Sequence, residues 1–181
     1  ENVQCLMKTA DFFNIESILD ECANFMRKRI RYDDALSLLK FFRSIGYSKM
    51  DEILFRFIDT NFVPISLTSE FIDLSVDDLS MILSRDSLHV DEEKQVFEAV
   101  DRWIGRDEER EKFGPRLLKL IRCTLLPYMF IHEIVKKTQW VENSEECIDI
   151  VDEARSHKIN KSFKHSERFC DYAHRLIFST G

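Results

Sequence analysis

The sequence predicts an all-α fold: a helical hairpin followed by an array of antiparallel helix pairs. Three observations carry that reading. Breakers are scarce, four Gly and three Pro against fifteen Phe in 181 residues, so large apolar side chains meet few interruptions and connections must be short. Apolar residues recur at helical spacing. The clearest case is Val96, Phe97, Val100, Trp103 and Ile104, which share a face opposite Glu98, Asp101 and Arg102. Finally, short polar residues that cap helices stand just ahead of the apolar stripes, as Ser75 and Asp91 do.

Taken in order, Val3, Leu6, Met7, Ala10 and Phe13 form the first stripe, and Ile15, Ile18, Leu19, Cys22, Phe25 and Met26 the second. The break near Asn14 is short, which predicts a helical hairpin. Arg27-Lys28-Arg29-Ile30-Arg31 follows. It is either the positive end that a helix C-terminus favours or an anion-binding or localisation patch. Asp33 or Asp34 is expected to cap a third helix, with Ala35, Leu38, Leu39 and Phe42 inward and Gly46 as its stop. A fourth carries Met50, Ile53, Leu54, Phe57 and Ile58.

Pro64 is expected to separate this pair from a helical turn around Glu70-Phe71, and Ser75-x-x-Asp78 caps a helix that turns Val76, Leu79, Ile82 and Leu83 inward. Asp91 is the expected cap of the helix through Trp103, with Glu92 and Glu93 in its first turn and Phe97 and Trp103 buried. The run from Asp107 to Lys112 reads as solvated charge, and Gly114-Pro115 opens another helix. One more is expected from Tyr128 to Lys137. Asn143-x-x-Glu146 then reads as a capping box ahead of Cys147, Ile148, Val151 and Ala154. Past Ala154 the chain turns polar and aperiodic until a short β-like run, Leu176-Ile177-Phe178.

Composition bounds the function. Twenty-six basic against 33 acidic residues give a net charge of −7, which argues against nucleic acid as a partner. No stretch reaches the roughly 18 apolar residues of a membrane span, so no membrane association is expected. The five cysteines are odd in number and scattered, which points to a reduced compartment, the cytoplasm. The sequence starts Glu1-Asn2-Val3 and reads as a piece of a longer polypeptide.

Two stretches carry a family resemblance. Leu83-x-x-Asp86-x-Leu88-x-Val90-x-x-Glu93-x-x-Val96-Phe97-x-Ala99-x-x-x-Trp103 resembles the BACK domain of BTB–BACK–Kelch (Kelch-like) proteins. Phe57, Asn61 and Phe62 match the same pattern, as do the segments from Arg116 to Pro127 and from Glu153 to His157. Ala35 and Phe42 depart from it, standing where Cys and Ala are usual. Ala10-x-x-Phe13-Asn14-Ile15-x-x-Ile18-x-x-x-Cys22-x-x-Phe25-Met26 is similar to the 3-box of cullin-binding adaptors, with Phe13, Asn14 and Met26 in place of Leu, Gln and Leu.

By this resemblance residues 1–31 are a 3-box hairpin, 32–155 a BACK domain and 156–181 a linker toward a first Kelch strand. It implies a substrate adaptor of a cullin-3 RING ubiquitin ligase. In such an adaptor the cullin docks on the 3-box, an upstream BTB domain forms a homodimer, and a downstream propeller holds the substrate. The other reading within the family is a cytoskeletal or assembly scaffold without a ligase role. A cullin segment laid on the hairpin would meet Leu6, Phe12, Phe13, Ile15 and Leu19. Phe12 lies off the main stripe, and reads either as contact with a preceding domain or as one wall of a partner groove.

Nothing in the sequence asks for catalysis, a cofactor or a metal. Nucleophile elbows, zinc-protease helices and phosphate loops are absent, and His132-Glu133 has no second His four residues on. Cys170-Asp171-x-x-His174 with nearby His165 matches no standard ligand spacing and reads as polar linker. The paired carboxylates Asp33-Asp34, Asp77-Asp78 and Glu92-Glu93 all sit near helix starts, where capping accounts for them.

Overall fold

A computed structural model describes residues 2–158. These residues are all-α, without a strand among them. The expected strand at Leu176-Ile177-Phe178 and the Cys170–His174 group lie outside the described residues. The helices fall into two compact units, one ending at Asp91 and the other beginning at Glu92.

In the first unit α1 (Asn2–Phe12) and α2 (Glu16–Arg27) form the expected hairpin. Asn14 makes the turn with a left-handed backbone, φ +55°, which its short polar side chain tolerates better than most. The Ile15 amide closes the turn by donating to the Ala10 carbonyl at 2.8 Å. Helix α3 (Ala35–Ser44) buries Ala35, Leu38, Leu39 and Phe42 as its period requires, and Gly46, φ +69°, ends it. Helix α4 (Asp51–Thr60) packs against α3 and buries Leu54, Phe55 and Ile58. The short helices α5 (Phe62–Ser66) and α6 (Ser69–Ile72) follow, then α7 (Val76–Leu83), whose Ser75 cap accepts from the Asp78 amide at 3.1 Å.

Two expectations fail here. Pro64 does not separate elements but sits inside α5, in its first turn, where its missing N–H would have had no helical partner anyway. Asp34 occupies the position before α3, yet its carboxylate accepts from the Arg31 amide behind it. The carboxylate that reaches the α3 first turn is Glu70 of α6, which accepts from the Ser37 amide at 3.2 Å.

Asp59 is the fixed point of this unit. It is 3% exposed, and its carboxylate takes a two-pronged contact from Arg85, 2.9 Å from Nε and 2.9 Å from Nη2, plus the Ser87 hydroxyl at 2.6 Å. The His89 amide donates to its carbonyl at 2.9 Å. A buried carboxylate is tolerated because its lone pairs are filled by a fixed fork of donors. The Arg85 guanidinium also covers the Phe55 ring, 4.3 Å from its centre.

The second unit is built around α8 (Lys94–Ile104), which buries Val96, Phe97, Val100, Trp103 and Ile104 as expected. Its start is not where the capping rule put it. Glu93, not Asp91, occupies the cap position and does not cap with its side chain; instead its carboxylate accepts from the Arg122 amide at 2.8 Å. The charge run after α8 is also more than solvated. Asp107 caps a 3₁₀ turn, Glu108–Phe113, and Arg110 reaches back to lie 4.3 Å from the Trp103 ring centre and donate to the Trp103 carbonyl.

Helix α9 (Gly114–Leu118) begins with Pro115 in its first turn, as expected. The single helix expected from Tyr128 to Lys137 is two pieces, α10 (Tyr128–Glu133) and a 3₁₀ turn, Val135–Lys137. After α11 (Gln139–Glu142) comes α12, residues 145–158. Its cap is Ser144, whose hydroxyl accepts from the Cys147 amide, while Asn143 and Glu146 bind Glu111 and Lys119 instead. Long-range partners outbid the local capping box.

Candidate docking surface

Helix α2 turns one stripe inward, where Leu19, Cys22, Ala23 and Met26 are buried, and α1 contributes only Met7 and Ala10. Val3 and Ile18 are half-buried, and other apolar side chains of the hairpin stay in water. Phe12 is 80% exposed, Phe13 64%, Leu6 51%, Phe25 44% and Ile15 41%. Scattered exposed apolar residues are ordinary, but five on one short hairpin are not.

Three of these rings have neighbours. The Phe12 and Phe13 rings meet edge to face with centroids 5.2 Å apart, at the turn where Asn14 reverses the chain. Along the two helices runs a shallow groove of 470 Å³ lined by Val3, Leu6, Ile18, Cys22 and Phe25, with Ser17 and Glu21 at its edge. Arg29 covers one face of Phe25, its guanidinium carbon 3.8 Å from the ring centre.

A polar clamp fixes the hairpin against the following helices. Asp20 on α2 accepts from Lys49 at 2.8 Å and from the Tyr47 hydroxyl at 2.5 Å, both in the turn between α3 and α4. The Lys49 ammonium, with the Tyr47 hydroxyl, holds the Asp20 carboxyl below the usual carboxylate range. Burial, together with the Asp20 charge, pushes Tyr47 up to about 12. Asp20 also raises Lys49 above its ordinary value.

Of the residues expected at the docking surface, Leu6, Phe12, Phe13 and Ile15 are exposed, while Leu19 is 8% exposed and faces the interior. The reading of α2 by its stripe put Leu19 and Phe25 on one face; in the structure Leu19 lies with the core and Phe25 lines the groove. Sequence reasoning offered neither Ile18 nor Phe25 for docking. The signal available was the Phe25–Arg29 spacing of four, which stacks a cation on an exposed ring. Among the described residues no helix is long and apolar enough to cross a membrane, and no three His, Cys, Asp or Glu converge as a metal site would need.

The model of the BACK family, BTB And C-terminal Kelch, matches residues 35–136. The chain is 30% identical over 169 residues to Kelch-like protein 6 of Homo sapiens, covering 93% of this chain and 27% of that protein. It is 31% identical over 152 residues to human Kelch-like protein 40, covering 81% and 24%, and 26% identical over 160 residues to Kelch-like protein 2 of Rattus norvegicus, covering 88% and 27%. The chain thus spans about a quarter of the length of these relatives.

Proposed function

The chain belongs to the BACK (BTB And C-terminal Kelch) family of Kelch-like proteins, and from that premise we propose that it is the non-catalytic spacer of a substrate adaptor for a cullin-3 RING ubiquitin ligase. Residues 1–31 form the 3-box and dock the N-terminal region of the cullin. Residues 32–155 set the distance to a downstream substrate-binding propeller, and 156–181 lead to it. An upstream BTB domain completes the cullin site and forms the homodimer, in the cytoplasm.

One observation supports this most: an apolar ridge and groove on α1–α2 that the described residues leave uncovered, from Leu6 and Phe25 to Phe12 and Phe13. An amphipathic segment can lay its apolar face there and gain by removing both surfaces from water. The work is geometric. It holds two partners at a fixed separation and makes or breaks no bond.

The test is Phe12→Glu in a form of the protein that carries the upstream domain, with binding of purified cullin-3 N-terminal region measured by calorimetry. A charge in a desolvated apolar contact should cost about 2 kcal/mol or more, a loss in affinity beyond about tenfold, with the melting temperature unchanged because Phe12 is not in the core. Unchanged affinity would take the hairpin out of the cullin site. No cullin binding by the unaltered protein would favour the scaffold reading instead.

A further inference from the structure

We propose that a second groove, between the end of α2 and α4, is a docking site for an acidic peptide segment that carries apolar side chains. The cavity is 710 Å³ and shares no residue with the α1–α2 groove. Ile30, Ile53 and Phe57, all half-buried, make its apolar part, and Arg27, Lys49 and Arg56 stand around them. Glu52 is the one carboxylate in the lining.

The helix-end explanation of the basic cluster accounts for Arg27, in the last turn of α2. It does not account for Lys49 and Arg56, which arrive from a different part of the chain and converge on the same apolar strip. Two of the three cations are paired, one of them at an exposed site. Lys49 pairs with Asp20, and Arg56 with Glu52 at 2.9 Å, but that second pair is exposed by 76% and 83% and readily exchanges for another carboxylate. Arg27 has no ion-pair partner among the described residues. Lys28 and Arg29 extend the same positive potential along the chain, whereas Arg31 is paired with Asp33 at 3.2 Å.

Charge complementarity selects the occupant. On a chain of net charge −7, an island of cations draws an anionic segment to one place while the rest of the surface repels it. The apolar strip separates a peptide from a bare polyanion, because only the former removes Ile30, Ile53 and Phe57 from water. Guanidinium forks suit carboxylates in particular.

Fluorescence anisotropy on the full 181-residue chain tests this with a labelled peptide alternating Glu and Leu, the same peptide with Ser for Leu, and an oligothymidylate of equal charge. The Glu–Leu peptide should bind saturably and weaken with salt, the Glu–Ser peptide much less. The double variant Arg27→Glu with Arg56→Glu should lose about tenfold or more. If that variant fails to fold, Arg27→Gln with Arg56→Gln should weaken binding in the same order of peptides. Phe12→Glu should leave the peptide affinity unchanged, which separates this site from cullin docking. Lack of saturable binding, equal binding of the Ser peptide or the oligothymidylate, or full affinity in a folded double variant would each overturn the proposal.

Discussion

Phe97 shows how a single side chain organises its surroundings. It is 1% exposed, stacks on Trp140 with centroids 5.7 Å apart, and meets Phe130 edge on at 5.7 Å. Trp140 is in turn aimed by its indole N–H, which donates to Asp101 at 2.8 Å. Phe97→Ala should cost about 3–5 kcal/mol in urea unfolding, from lost transfer energy and the cavity left behind. Gly114 is the counterpart in space. A Cβ there would lie 2.7 Å from Cε3 of Trp140, so the ring must shift. Gly114→Ala should destabilise by about 1–3 kcal/mol in the same measurement, although alanine favours helix. A stabilised Gly114→Ala would mean that the Trp140 ring can move freely. The burial of Phe97 was legible from its spacing in α8, but its aromatic partners were not, since they come from residues more than thirty positions later.

At the scale of elements, periodicity read well and boundaries read poorly, for a physical reason visible at each start. Ser75 caps α7 as expected, its hydroxyl accepting from the Asp78 amide and donating to the Asp78 carboxylate, so both of its roles are filled locally. At α8 the expected Asp91 cap, and at α12 the expected box, gave way as Glu93 accepted from the Arg122 amide, Asn143 donated to the Glu111 carboxylate and Glu146 accepted from Lys119. A tertiary partner that completes a pair outweighs a cap worth about 1 kcal/mol.

The clamp between α2 and the α3–α4 turn makes a prediction at this scale. Asp20 is held low, so its share of stability is present above the ordinary carboxylate value and lost as pH falls through its lowered one. Tyr47 is raised from 10 to about 12, so its share is full below pH 10 and lost between 10 and about 12. Lys49, raised too, adds loss in the same alkaline direction. Melting curves should therefore fall more steeply between pH 10 and 12 in the unaltered chain than in Tyr47→Phe, and more steeply in acid than in Asp20→Asn. Parallel curves would mean the clamp carries no stability.

Across the described residues, the apolar side chains that the helices leave exposed carry the proposed docking role. Met7, Ala10, Leu19, Cys22, Ala23 and Met26 are the buried side chains of the hairpin, while Phe12, Phe13, Leu6 and Phe25 remain exposed. This is why Phe12→Glu is expected to spare the fold while altering docking. From the sequence alone, the all-α architecture, the inward stripe of α8, the hairpin at Asn14 and the BACK family pattern could all be read. These depend on local spacing, on turn chemistry and on the side-chain period of a helix, and each is written within a few turns of chain. Only the tertiary structure decided which face of α2 stays wet, that Asp59 is satisfied by Arg85 and Ser87, and that Arg27, Lys49 and Arg56 share one groove. Those facts depend on which distant helices meet, and a stripe of apolar residues states that it must be covered without stating by what.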